Sequence, residues 1–354
     1  MEGLGLGLIA FTLILPLSGW YKFYPIPDFI AVLETPLYLV TMLLPLIMGV
    51  IIAYTNLWLG VLAIYQVMNM VIRPNTLNIQ DVIWFATGCF IIEVVRLAVS
   101  HRYDYYIRIG FGFLGIFQSV YAIQQYMGYD ILWFGFHHNN GFVHGTLGNP
   151  NYLASFQVLM ASISPLSLVW FVIPGIVLSH SYLGVLGFIL VMVVRLRNFW
   201  ISYLAILGGL GIAGLELVWR QFYHYSLFWK ISWDERLAIW WLSLEDIASN
   251  SPAFGFGLGG FFQRAPDLQF NSGLLIKFMQ FYAQAHNEYV QYFYEAGVVG
   301  LALLVCLLVK FRKHLVHPHL VGIGITSFGM FPFHIMSLGI PACVLIGLAM
   351  RGDE

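Results

Sequence analysis

"AHNEYVQYFYEAGVVGLALLVCLLVKFRK", residues 285–313, opens on His286-Asn287, carries Glu288 and Glu295, turns apolar, and closes on Lys310, Arg312 and Lys313. A helix over 286–309 is long enough for a hydrocarbon core of roughly 30 Å. Basic residues just past an apolar run mark a cytoplasmic end. The stretch therefore reads as a membrane helix with a polar, potentially reactive outer end.

The rest of the chain agrees. It is 60% hydrophobic and 9% charged, with a mean hydropathy of +0.80; soluble domains carry roughly 25% charged residues. So much apolar surface needs a lipid bilayer as solvent. A net charge of −1 speaks against a nucleic-acid partner. Cys89, Cys306 and Cys343 lie in apolar runs with no disulfide or zinc spacing, and read as small hydrophobes.

The expected fold class is an all-α polytopic membrane protein with about 12 transmembrane helices, forming one integral domain over 1–354. Apolar runs place the spans at 3–20, 36–53, 57–72, 79–95, 107–127, 152–164, 166–178, 183–195, 199–219, 286–309, 318–334 and 337–350. Pro165 separates the two halves of 152–178. With the N-terminus inside, Arg96, Arg102, Arg108, Arg195, Arg197, Lys310, Arg312, Lys313 and Arg351 are all cytoplasmic, and only Lys22 and Arg73 fall in short outer loops.

This topology leaves one long outer loop, 220–285, holding Arg220, Lys230, Arg236, Arg264 and Lys277. Within it, "SWDERLAIWWLSLEDIASNSP" has a capping box at Ser232 and Glu235 and a stop at Pro252. Leu237, Trp240, Leu244 and Ile247 share a face with Arg236. The spacing predicts an amphipathic helix at the interface, where tryptophans are favoured. The following "PAFGFGLGGFF" lacks the preceding strand of a nucleotide-phosphate loop and reads as a return toward the membrane. In the other outer loop, His137, His138 and His144 have no carboxylate or cysteine to complete a zinc site. "GNPN", residues 148–151, reads as a turn with Asn151 as the N-cap of a helix from Tyr152, and the pair Asn149 and Asn151 also offers amides to sugar hydroxyls.

"GTLGNPNYLAS", "ERLAIWW" with "NSPAFGFGLGGF", "HNEYVQYFYEAGVVG" and the closing "FGMFPFHI", in this order around one long outer loop, resemble the O-antigen ligase and O-antigen polymerase superfamily. The likeness covers roughly residues 130–350. It implies a glycosyltransferase of the bacterial cytoplasmic membrane, working at the periplasmic face. The donor would be a glycan on undecaprenyl diphosphate, and the acceptor a glycan, lipid A core or a protein. The resemblance puts a catalytic histidine on His286 and a phosphate-binding arginine on Arg236. One departure stands out: where the family commonly has a second arginine, "LSHSYLGVLG" has Tyr182. Arg220, Arg264 and Lys277 are the cations available to replace it. Ligase, polymerase and protein glycosyltransferase remain open, as do a transporter and a scaffold without chemistry.

The chemistry asks for these residue types. Negative charge grows on the departing diphosphate, and a guanidinium binds phosphate oxygens in a two-point fork. A neutral imidazole takes the proton of the attacking hydroxyl. The sequence holds no paired carboxylates of the metal-binding kind, so no metal or other cofactor is expected. Asn287 is expected beside His286 to hold the ring or a sugar hydroxyl. At about 100° per residue, Gly297 and Gly300 fall on the side of His286, predicting a close helix contact below it.

Overall fold

The computed structural model describes residues 2–14, 37–72, 76–129, 143–196, 233–274, 281–330 and 332–351. Every regular element among them is helical. Of these, His101–Tyr126 and Glu288–Lys310 are long and apolar enough to cross a membrane. Leu43–Thr55, Leu57–Ile72, Leu166–Leu178, Tyr182–Leu196 and Ser337–Ala349 are shorter apolar helical runs. The all-α class is thus observed, while twelve full crossings go beyond what these lengths establish. The expected span 199–219 and the residues Lys22, Arg73, His137, His138, Arg197, Arg220, Lys230, Ser232 and Lys277 lie outside the described residues.

The helices, in chain order, are α1 (Glu2–Ile14), α2 (Leu37–Thr55), α3 (Leu57–Ile72), α4 (Thr76–Ala98), α5 (Asp104–Tyr126), α6 (Pro150–Ile163), α7 (Leu166–Val169), α8 (Ile173–Leu178), α9 (Tyr182–Leu196), α10 (Trp233–Asn250), α11 (Gly260–Asn271), α12 (Glu288–Lys310), α13 (Pro318–Gly329) and α14 (Met336–Ala349). The break between α6 and α7 falls at Pro165, where the missing N–H and the ring disfavour a continuous helix. The chain clusters into two compact units, one of residues 1–22, 94–231 and 313–354, the other of residues 23–93 and 232–312.

In the first unit α6 is central. Each residue from Leu153 to Ile163 is buried, because α5, α8, α9, α13 and α14 surround it. Glycines let backbones approach: a Cβ on Gly184 of α9 would stand 2.6 Å from that of Ala154. Polar side chains bind the helices together, as expected where lipid removes water as a competing partner. The Gln157 amide donates to Gly115 O and Ser119 Oγ, both at 3.0 Å.

The second unit is organised by a break in α12. Gly297 has φ 65° and ψ −169° in the middle of that helix, a conformation reserved for glycine. The freed backbone groups find partners in the segment 252–257. Phe256 and Gly257 donate to Tyr294 O (3.0 Å) and Glu295 O (2.8 Å). Pro252 O and Ala253 O accept from Val298 and Val299, both at 3.0 Å. Tyr65 of α3 donates to Ala296 O at 2.5 Å. At membrane depth such groups must be satisfied within the protein. The glycine-rich stretch read as a plain return loop is therefore the backbone complement of a broken helix. The expected helix-on-helix contact is corrected at Gly297, where a Cβ would meet Ala253 O at 2.5 Å and loop backbone packs instead; at Gly300 a Cβ would stand 3.0 Å from the Tyr65 ring of α3, so a helix does pack there.

Candidate active site

Arg236 sits in the first turn and a half of α10. It is 7% exposed and lies on the packed face with Ile239, Ser243 and Ile247. Leu237, Trp241 and Leu244 lie on the exposed face, so the single face expected for Arg236, Leu237 and Leu244 is split in two. The helix is amphipathic, but its arginine points into the unit and its large hydrophobes point out. The reason is the 3.6-residue repeat: 236, 239, 243 and 247 form one stripe, whereas 237, 241 and 244 form the next.

His286 precedes α12 instead of opening it. The helix starts at Glu288, and Asn287 is its N-cap, its Oδ1 accepting from Tyr289 N (2.9 Å) and Val290 N (3.1 Å). The Asn287 carbonyl-type oxygen is thus committed to the helix end. His286 itself has φ 54°, a left-handed backbone rarely taken by residues with a side chain. Such strain persists only where the surroundings over-determine it, and here they do. Trp240 Nε1 donates to Ala285 O at 2.7 Å. Ala285 N donates to Gln291 Oε1 at 3.1 Å. Tyr282 is clamped by Gln269 of α11 through Nε2 to Tyr282 O (2.7 Å) and Tyr282 N to Oε1 (2.9 Å). The Tyr282 hydroxyl bonds Glu235, the residue beside Arg236, and its ring meets the His286 ring edge-on at 5.7 Å.

His286 is partly exposed, while its Nδ1 is shielded from solvent. Burial, and then the nearby Arg236 guanidinium, push its pKa down to about 3. The imidazole is therefore neutral at pH 7. Burial also lowers Arg236 from its ordinary value, partly offset by Glu235; an arginine stays protonated through such a shift.

Arg264, on α11, is held by α10 and α12. Its Nη2 and Nε donate to Asp246 at 2.9 and 3.2 Å, and its Nε to Tyr294 Oη at 3.0 Å. The guanidinium also stacks 4.1 Å over the Phe256 ring. Burial would raise the Asp246 carboxyl, but hydrogen bonds from Arg264, Tyr294 and Asn250 outweigh it and hold it below its usual value. Arg264 thus already has a carboxylate partner and joins three helices.

The other expected contacts belong to the first unit and have local duties there. Asn149 caps α6 by accepting from Asn151 N at 2.8 Å, a role the sequence reading had given to Asn151. Asn151 Oδ1 accepts from Ser181 Oγ at 2.9 Å. Tyr182 is the first residue of α9. His144, the described member of the histidine trio, has Nδ1 2.8 Å from Gly145 O. Among the described residues no three His, Cys, Asp or Glu side chains are grouped as metal ligands.

Sequence reasoning missed Tyr282, Gln269 and helix α11. The signal for α11 was present: Phe261, Ala265 and Gln269, all buried, recur every four residues. Pro266 within the helix concealed it.

No curated protein matches the chain. Residues 167–305, which include Arg236, Arg264, His286 and Asn287, match the family described as O-antigen ligase, and this match supports the chain's place in the O-antigen ligase and polymerase superfamily that its motifs resemble.

Proposed function

We propose that this chain transfers a glycan from an undecaprenyl-diphosphate carrier to an acceptor hydroxyl at the periplasmic face of the bacterial inner membrane, as an O-antigen ligase. The family supports the coarser statement, a membrane ligase or polymerase of polysaccharide biosynthesis. What supports the finer one is a single observation: a neutral, strained and braced histidine lies within electrostatic reach of a buried arginine.

On this reading the acceptor oxygen attacks the anomeric carbon, and the bond from that carbon to the diphosphate oxygen breaks. The electron pair leaves with the carrier diphosphate. His286 takes the hydroxyl proton, a contribution of about 10²–10⁴ in rate. Arg236 meets the charge that grows on the leaving group; a donor of this kind is worth about 2.7–4 kcal/mol in the transition state. The arriving diphosphate also offsets the field of Arg236 at His286, so donor binding makes the imidazole a stronger base just when it is needed. Arg264, Lys277 and Arg220 are the further cations for the carrier phosphates, with Arg264 sharing its charge with Asp246. Both roles are assigned to side chains, and no metal is invoked.

The topology with about twelve spans, both termini in the cytoplasm and 220–285 outside belongs to the same proposal. Mass spectrometry of surface glycans in a deletion strain tests the function. A ligase predicts loss of glycan from lipid A core with carrier-linked polymer retained. Single carrier-linked repeats would mean a polymerase, and an unmodified protein a protein glycosyltransferase. A strain with unchanged glycans and glycoproteins would contradict the proposal.

A further inference from the structure

The first unit contains a cavity of about 330 Å³, at the lower end of the roughly 300–1,000 Å³ range of small-ligand sites. Its polar lining is strongly unbalanced. Two arginines, Arg108 and Arg351, and four histidines, His101, His314, His317 and His319, face it. Asp104 is the sole acid lining it among the described residues.

That acid is already matched. Arg351, with its side chain 8% exposed, donates from Nη2 to Asp104 Oδ1 at 2.6 Å. His101 Nδ1 lies 3.2 Å from Asp104 Oδ2. Arg351 is also anchored to Val99 O (3.2 Å) and Leu348 O (3.3 Å). The charge of Arg108, exposed one turn beyond Asp104 on α5, is what the lining leaves unbalanced. Two helix N-termini add to it: the helical run that continues into α5 starts at His101 behind its cap Ser100, and α13 starts at Pro318 behind its cap His317. Each brings a partial positive charge. His319 lies in the first turn of α13, with its Nδ1 3.2 Å from Ser162 Oγ.

We infer that this cavity is a binding site for a phosphate group, distinct from the His286 and Arg236 site. A phosphate supplies acceptor oxygens in several directions, matching a guanidinium and imidazoles that arrive from separate helices. The outer surface beside the cavity points to a lipid headgroup as the source. Tyr105 and Tyr106 on the first turn of α5, and Val316 in the turn before α13, are 66%, 70% and 65% exposed. Exposed tyrosines beside a basic pocket are what the membrane interface selects, and basic pockets between helices on the cytoplasmic side hold anionic headgroups.

The test uses the full chain purified in detergent and phosphate-free buffer. Native mass spectrometry with phosphatidylglycerol or phosphatidylcholine reads lipid retention, and calorimetry with inorganic phosphate reads the free ion. The expected result is one retained phosphatidylglycerol per chain, little phosphatidylcholine, and a loss of at least about tenfold in affinity for Arg108→Gln. Arg102→Gln, a nearby cation outside the lining, should bind as wild type. Arg108→Lys keeps the charge and should restore most of the binding even where Arg108→Gln lowers the melting temperature. Phosphate binding without lipid retention, with the same dependence on Arg108, supports the site with the free ion as its ligand. The inference is overturned if neither ligand binds, or if Arg102→Gln weakens binding as much as Arg108→Gln.

Discussion

The indole N–H of Trp240 donates to the carbonyl oxygen of Ala285 at 2.7 Å, so the helix that carries Arg236 is bonded to the residue immediately before His286. One turn of α10 separates Arg236 from Trp240, and one peptide bond separates Ala285 from His286. The two side chains proposed for catalysis are thereby held in a common frame by a bond that involves neither of them. Trp240→Phe removes the donor and keeps most of the packing. Transfer should fall about tenfold, the equivalent of one lost hydrogen bond at a positioned site, with little change in KM. Steady-state kinetics that separate kcat from KM check this; an equal loss in donor affinity would show that Trp240 supports the binding of the donor.

The His286 imidazole has a folded pKa near 3, against about 6.5 for a free histidine. Between those values the unfolded chain holds the extra proton, so stability rises with pH across the window. The contribution is complete above about pH 6.5 and is lost as pH falls toward 3. Melting temperature of the detergent-solubilised protein should decline over this range, and His286→Gln should make the decline shallower. Arg236→Gln should raise the His286 pKa, because one of its two depressing causes is removed, yet leave it below the ordinary value because burial is the larger cause.

Gly297 adopts φ 65° with ψ −169°, and its neighbour across the contact, Gly255, has φ 67°. A methyl on Gly297 would meet Ala253 O and Gly255 N at 2.5 Å. Gly297→Ala should cost at least about 2 kcal/mol through strain alone and release segment 252–257 from α12. Gly7→Ala, at a position with nothing within 4 Å, is the matched control. Thermal melts, with proteolysis across 252–257, report the difference.

Arg264 and Asp246 form an ion pair with the carboxylate 7% and the guanidinium 41% exposed. Arg264→Ala leaves the buried partner uncompensated and should destabilise by about 1–2 kcal/mol, discounted for the exposure of the arginine. Adding Asp246→Asn should recover part of that stability. If Arg264 also meets the carrier phosphates, the double variant will be stable but bind donor less well. A double variant with full donor affinity confines Arg264 to its structural role.

Much of the fold was legible because lipid imposes few solutions: long apolar runs with scattered charge become helices. Pro165 and Pro252 stopped helices where their chemistry requires. The family resemblance is what singled out Arg236 and His286, and the structure brings both to one unit. What spacing could not reveal was backbone geometry. His286 was read as a helical residue, yet a left-handed φ takes it off the helix and leaves Asn287 as the cap. Gly297 was read as a packing notch, yet it breaks the helix, and the break is completed by carbonyls and amides from a loop some forty residues earlier. Helical periodicity assumes an unbroken helix, and both errors come from that assumption. The Tyr282, Gln269 and Glu235 bonds join distant segments, and no local pattern encodes them.

The central claim is that His286 takes a proton while Arg236 holds the diphosphate. It is tested most directly by measuring donor binding and single-turnover transfer separately on His286→Ala and Arg236→Ala, using purified protein and a diphosphate-linked lipid glycan. The account predicts that His286→Ala binds donor like wild type and transfers at least about a hundredfold more slowly. It predicts that Arg236→Ala loses both affinity and rate, because its charge meets the donor before and during the reaction. Normal transfer by a well-folded His286→Ala protein would contradict the account and reduce that residue to a strained turn before a capped helix.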